Sequence, residues 1–215
     1  MARAVIFDMD GLLLDSEDFW QQAEFEQFRS LGVPLTLADT TKTLGWRCDY
    51  VVQYWYQQAP WHGPSQAEVA DLIIDRVIEM ILSRGKLLAG AEQAIRLAKN
   101  LGLAVGLATS SNHRMMLATL KHFDLLPLFD ATCSAEFLPF AKPHPQVYLN
   151  AATALGVQPS DCIALEDSIT GVIAAKAARM KCIAVPDAKH IQDPRYTIAD
   201  KVLASLTELT AADLN

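Results

Sequence analysis

Long apolar runs, clusters of basic charge, paired cysteines and internal repeats are all missing from this chain, and each absence removes a class of protein. No stretch of about 18 consecutive apolar residues occurs, so no segment is expected to cross a bilayer. The apolar stretches near the start are interrupted by Asp8 and Asp10, which rules out a signal-peptide core. Together these absences predict a soluble, cytoplasmic protein. Lys and Arg total 18 against 25 Asp and Glu, for a net charge of -7, and the basic residues are scattered singly. Nucleic acid and membrane are therefore not expected as partners. The four cysteines, Cys48, Cys133, Cys162 and Cys182, show neither Cys-x-x-Cys spacing nor a neighbouring His cluster. They read as reduced residues, with Cys162 and Cys182 opening buried strands.

What is present is a large apolar fraction, 51% over 215 residues. That suits one ordinary domain, or a domain of about 140 residues carrying an insertion. The chain opens with Ala4-Val5-Ile6-Phe7, an apolar run that reads as a strand buried on both faces. It ends in two carboxylates, Asp8 and Asp10, followed by Gly11 at a sharp turn. Burying acids at a strand end is costly without compensation. An Asp-x-Asp-Gly run also suits a surface turn or a calcium loop, but the calcium reading lacks its third acid, its closing Glu and a preceding helix. The single residue between Asp8 and Asp10 matters, because strand alternation points both side chains the same way.

From Ser16 to Gly85 the pattern is helical throughout. Ser16 is placed to cap a helix running to about Leu31, with Glu17 and Asp18 in its first turn. A second helix is expected from Asp49 to Gln58. A third follows the capping-box spacing of Ser65 and Glu68, with apolar residues at helical intervals. Near Lys86 the pattern changes to an alternation of helices with short apolar strands: Leu103 to Ala108, Ala131 to Cys133, Cys162 to Leu165 and Cys182 to Val185. That alternation predicts an α/β fold, a doubly wound parallel Rossmann-like sheet covered by helices. The opening strand belongs to this sheet, so residues 1–15 and 86–215 form the core and 16–85 form an all-helical insertion. A last helix is expected from Leu206.

Three of these strands end in polar clusters: Asp8 and Asp10; Thr109-Ser110-Ser111-Asn112; and Glu166-Asp167-Ser168. In a parallel sheet all such ends lie on one edge, where ligands bind. Lys142, in the loop Phe140 to Pro145, is placed to reach the same crevice. Crowded acids are relieved by a bound cation or by raised pKa values, and carboxylate and carbonyl oxygens suit Mg2+. The Thr109 hydroxyl, the amides at the start of the Asn112 helix and the Lys142 ammonium are phosphate-binding groups. The crevice reads as a site for a phosphoryl group, a cation and a carboxylate nucleophile.

These residues carry a resemblance. Asp8-Met9-Asp10-Gly11-Leu12-Leu13-Leu14-Asp15-Ser16, Thr109, Lys142-Pro143-His144-Pro145 and Glu166-Asp167-Ser168 stand in the order and spacing of the haloacid dehalogenase superfamily, in its helical-cap branch. Within it the chain is similar to the bacterial hexitol phosphatase and 2-deoxyglucose-6-phosphate phosphatase group, through Lys142 to Tyr148 and the ending Ser205 to Thr210. The resemblance implies that Asp8 attacks phosphorus and Asp10 is the acid and base. It implies that Mg2+ is held by Asp8, the Asp10 carbonyl and Asp167, with Glu166 behind, and that Thr109 and Lys142 hold the phosphoryl oxygens. Ser110 and Asn112 join the substrate set. It makes the insertion a cap, in which Gly45 and Arg47 are nominated for a substrate loop and Trp20 for a further contact. Packing of Trp46 within the cap with Arg47 in solvent stands beside that reading as an equal. The implied substrate is a phosphorylated sugar or sugar alcohol, turned over by a monomer. A β-phosphoglucomutase-like mutase would carry a cap His where Trp20 stands. A dehalogenase would have no use for Asp10, Glu166 and Asp167 together, and a receiver-like phosphate sensor would lack the insertion.

Overall fold

The computed structural model describes residues 2–215. Ala4–Phe7 form β1 with every residue buried, as a strand covered on both faces requires. β1 lies parallel to β2 (Ala104–Thr109) on one side and β4 (Cys162–Glu166) on the other, with Phe7 in register with Leu107 and Leu165. β3 (Ala131–Ser134), β5 (Lys181–Ala184) and β6 (Lys201–Val202) complete a six-stranded sheet of order β3-β2-β1-β4-β5-β6. All pairings are parallel. The chain winds outward from β1 through β2 to β3, then returns to β4 on the other side. The strand order therefore reverses between β1 and β4, the crevice position that open α/β sheets use for ligands. The expected α/β architecture is what forms.

The chain divides into two compact units, Met1–Asp15 with Lys86–Asn215, and Ser16–Gly85. The second holds α1 (Glu17–Ser30), a 3-10 stretch (Leu37–Thr43), α2 (Cys48–Gln58) and α3 (Gln66–Arg84). Val69, Ile73, Val77, Met80 and Ile81 line the buried stripe of α3, and its Ser65–Glu68 capping box is made. Phe28 anchors an aromatic cluster, its ring 6.1 Å from Trp55 and 6.0 Å from Trp61. Ser16 occupies the N-cap position of α1, but its side chain makes no capping hydrogen bond and is buried, so the first turn is not capped as the sequence suggests.

In the α/β unit the two ends of the insertion lie side by side. Asp15 N–H donates to Lys86 O at 3.2 Å and Leu88 N–H to Leu13 O at 2.9 Å, around an antiparallel bridge between Leu14 and Leu87. α4 (Ala91–Asn100), α5 (His113–His122), α6 (Gln146–Ala154) and α7 (Ile169–Ala177) follow in alternation with the strands. α6 begins at Gln146, whose N–H donates to the His144 ring. The expected last helix is not formed: the chain makes two 3-10 turns, Leu206–Glu208 and Ala211–Leu214. Each is too short to nucleate an α-helix, and Leu206 and Leu214 are instead buried singly. Among the described residues all four cysteines are free, and Cys48, Cys162 and Cys182 are buried.

Candidate active site

Asp8 continues the β1 ladder by one residue, its N–H donating to Leu165 O at 3.0 Å. Its carboxylate is buried and accepts from the Lys142 ammonium at 2.6 Å. The same ammonium donates to Glu166 Oε1 at 2.6 Å and to Ala108 O at 2.8 Å, so all three of its protons are used. It stands 5.0 Å from the Tyr148 ring centroid, and the Tyr148 hydroxyl donates to Glu166 Oε1 at 2.6 Å. Lys142 thus ties the ends of β1, β2 and β4 through one buried charge. Asp8, Glu166 and Asp167 each present a carboxylate oxygen within 4.8 Å of the others.

Three carboxyl groups around one ammonium leave an excess of negative charge in a dry site. Burial pushes the Asp8 carboxyl up to about 7, opposed by Lys142 and reinforced by Glu166. Burial likewise raises Asp167 well above the usual carboxylate range, with Asp8 and Glu166 adding to the shift. For Lys142 burial works against the charge, but Asp8 and Glu166 outweigh it and hold the ammonium above its ordinary value. A divalent cation would offset the same excess. The donors are hard carboxylate oxygens, so a cation of the Mg2+ or Ca2+ type fits them and a thiophilic metal does not.

Two glycines allow this crowding. Gly11 lies at φ +76°, and a Cβ there would sit 2.1 Å from Asp167 Oδ2. A Cβ on Gly171 in α7 would meet the Glu166 carboxyl at 1.9 Å. Asp167 is also held from behind, where the Tyr196 hydroxyl donates to its main-chain carbonyl at 2.5 Å.

Asp10 lies beyond the end of the strand. β1 ends at Phe7, and Asp10 lies in a turn closed by Gly11 N–H to Leu14 O and Leu13 N–H to Met9 O, both 2.9 Å. Strand alternation therefore does not aim its side chain. The Ser111 hydroxyl does, donating to Asp10 Oδ2 at 2.6 Å.

Thr109 ends β2, buried, and its hydroxyl oxygen accepts the Ser111 N–H at 3.0 Å, leaving its own proton to donate. The Ser110 hydroxyl is buried and, among the described residues, has no hydrogen-bond partner. Asn112 caps α5, accepting from Arg114 N–H at 2.9 Å and donating to Glu136 at 2.6 Å, while His113 N–H donates to Glu136 at 2.9 Å. Two of the amides at the start of α5, expected to receive phosphate, are thus already bonded, that of His113 to Glu136 and that of Arg114 to the Asn112 side chain.

The remaining nominated residues belong to the helical unit. Arg47 forms a two-pronged pair with Asp49 at 2.7 and 2.8 Å and lies 4.6 Å over the Tyr50 ring. Gly45 takes φ +73°, Trp46 is half-exposed with its edge to Tyr54, and Trp20 is half-buried on α1. Sequence reasoning passed over Ser111, Glu136, Tyr148, Gly171 and Tyr196 as site residues. Ser111 was legible from its place beside Thr109; Tyr196 had no local signal, since it lies 29 residues from Asp167.

The family model for haloacid dehalogenase-like hydrolases matches residues 2–179. The chain belongs to this family. Among curated relatives, this hydrolase is 51% identical over 212 residues to hexitol phosphatase B of Escherichia coli, covering 98% of the chain and 96% of the relative. It is similar in fold to a crystal structure of CbbY from Rhodobacter sphaeroides in complex with xylulose-(1,5)bisphosphate, at TM-score 0.86 and 26% identity, covering 100% of both chains. It shares the fold of β-phosphoglucomutase from Clostridium difficile at TM-score 0.84 and 21% identity, covering 99% and 95% of the two chains.

Proposed function

We propose that this hydrolase is a Mg2+-dependent phosphatase that releases phosphate from hexose or hexitol phosphates, acting as a monomer in the cytoplasm. The observation that carries this reading is the buried Asp8–Lys142–Glu166 constellation, in a chain 51% identical to hexitol phosphatase B. Asp8 is the nucleophile: its carboxylate forms a bond to phosphorus as the bond from phosphorus to the sugar oxygen breaks, leaving an aspartyl phosphate. Asp10 gives its proton to the departing oxygen. It then takes a proton from the water that hydrolyses the aspartyl phosphate, and Ser111 holds it in place for both transfers.

Lys142 fixes the Asp8 carboxylate and brings its positive charge to the phosphoryl oxygens, to which the Thr109 hydroxyl offers a donor. The orphan Ser110 hydroxyl joins them. Asp8, the main-chain carbonyl of Asp10 and Asp167 would hold the cation, with Glu166 behind them. When bound, the cation neutralises charge on the phosphoryl oxygens as entering and leaving groups move in line. Residues 16–85 act as a cap that excludes bulk water and supplies specificity through the Gly45-Trp46-Arg47 segment and Trp20, with hinges at the paired crossings near Asp15 and Lys86. A screen of hexose, hexitol and pentose phosphates, glycerol phosphates and nucleotides, read by phosphate release with Mg2+, tests the proposal. Hexose or hexitol phosphates should lead the screen. Undiminished turnover in excess EDTA, or full activity in Asp8→Asn, would remove the mechanism.

A further inference from the structure

Lys142 is placed by three acceptors, and they differ in how firmly they are themselves fixed. Ala108 O, 2.8 Å from the ammonium, is main chain of β2 and is set by the sheet. Asp8 Oδ1, at 2.6 Å, belongs to the group that reacts. Glu166 Oε1, also at 2.6 Å, ends a flexible side chain and needs an anchor of its own. Among the described residues its far oxygen, Oε2, accepts only at longer range, from Ser168 N–H at 3.4 Å and Ser168 Oγ at 3.3 Å. The near oxygen takes a second short bond, 2.6 Å, from the Tyr148 hydroxyl. Tyr148 lies on α6 and is fully buried, and its ring centroid stands 5.0 Å from the Lys142 ammonium. One side chain therefore touches both members of the pair, the carboxylate through its hydroxyl and the ammonium through its ring.

The demand on Lys142 changes during the reaction. As the Asp8 carboxylate forms its bond to phosphorus, the bond from phosphorus to the sugar oxygen breaks and that oxygen takes the Asp10 proton. The acyl oxygen left on Asp8 no longer carries a full carboxylate charge, so its hold on the ammonium weakens. Lys142 then keeps its place through Glu166 and Ala108 O. Resting on the phosphatase reading above, we propose that Tyr148 is a positioning residue, whose hydroxyl fixes the Glu166 carboxylate so that Lys142 stays on the phosphoryl group while Asp8 gives up its charge. The bond from Tyr148 restricts rotation of the Glu166 carboxyl. It also divides the lone pairs of Oε1 between two donors, so Glu166 cannot draw the ammonium wholly to itself. A phenyl ring would fill the same space and do neither. Tyr148 acts through Glu166 and Lys142 and not on the substrate itself.

Tyr148→Phe removes the hydroxyl and keeps the ring facing Lys142. In the Mg2+-loaded enzyme with a hexose phosphate, kcat should fall at least about tenfold while KM stays within about twofold, since the contact matters as charge moves onto the phosphoryl group. Vanadate, which adopts the geometry of the phosphoryl group in transfer, should bind at least about fivefold more weakly, and inorganic phosphate less than about twofold more weakly. In a Glu166→Gln background the same substitution should change kcat less than about twofold, because its effect passes through the carboxylate. An unchanged kcat in folded Tyr148→Phe overturns the role, as does a fall of the same size persisting beside Glu166→Gln. Equal weakening of vanadate and phosphate also overturns it, because that is what general loosening of the site would produce. Should Tyr148→Phe fail to fold, Tyr148→Met, which fills the ring's space without a hydroxyl, is read by the same measurements. Absence of phosphate release by wild type from every phosphorylated sugar is a separate outcome, which removes the phosphatase reading and this role together.

Discussion

The ammonium of Lys142 is the residue on which the site depends, because it is the only cation bonded to Asp8 and Glu166 among the described residues. Removing it leaves buried carboxylates without a bonded cation, which costs far more than the pair contributes. Lys142→Ala is expected to lower stability by about 3–5 kcal/mol in urea unfolding and to abolish phosphate release. Asp8→Asn behaves in the opposite way. Burial already disfavours its charge, so the amide should leave the melting temperature unchanged or raised while phosphate release falls at least about a thousandfold. A single cost thus separates from a single role. Gly171 shows the same crowding from another side: Gly171→Ala drives a methyl into the Glu166 carboxyl and is expected to cost about 1–3 kcal/mol by thermal denaturation, together with activity.

At the scale of the element, α1 carries a buried acid that the chemistry does not use. Glu24 is buried in the helical unit, and burial alone pushes its carboxyl up to about 8 from 4.5. The folded chain therefore holds a proton that the unfolded chain has released. The contribution of Glu24 to stability is greatest below about pH 4.5, weakens as pH rises from 4.5 to about 8, and is level above that. Glu24→Gln should remove this part of the slope, leaving the part that Asp8 and Asp167 add, and stabilise the chain by several kcal/mol at pH 9 while changing little at pH 4.5. Urea unfolding of both proteins across that range measures it, and a wild-type slope retained in the variant would assign the dependence elsewhere. The elements of the sheet were the part most legible from residues alone. β1, β2, β4 and β5 announce themselves as short apolar runs, since a strand covered on both faces has no polar side to show. β6 was legible only as a short apolar element near Val202, and the two C-terminal 3-10 turns were not legible. They are too short for any periodicity to register, and only neighbours elsewhere in the chain order them.

For the whole molecule, the cation couples to folding. Asp8 and Asp167 come from the ends of different strands, and an unfolded chain does not gather them. Mg2+ should therefore raise the melting temperature of wild type, by the equivalent of about 2.7 kcal/mol at a hundredfold excess over its dissociation constant. The same titration should leave Asp167→Asn unmoved. A wild-type melting temperature indifferent to both Mg2+ and EDTA would argue against a cation at these carboxylates.

The sequence by itself determined the architecture and which strand ends meet. Apolar runs and helical spacing dictate a parallel sheet, and a parallel sheet places every strand end on one edge, so Asp8, Thr109 and Glu166-Asp167 were bound to meet. What only the tertiary structure decided is how the charges are shared once they meet. The Asp10 carboxylate, beyond the end of β1, is held by the Ser111 hydroxyl. The His113 amide is bonded to Glu136, and Asp167 is held by Tyr196 from the far end of the chain. A hydrogen bond depends on distances of a few tenths of an ångström between atoms far apart in sequence, and residue spacing along a strand or helix carries no such information.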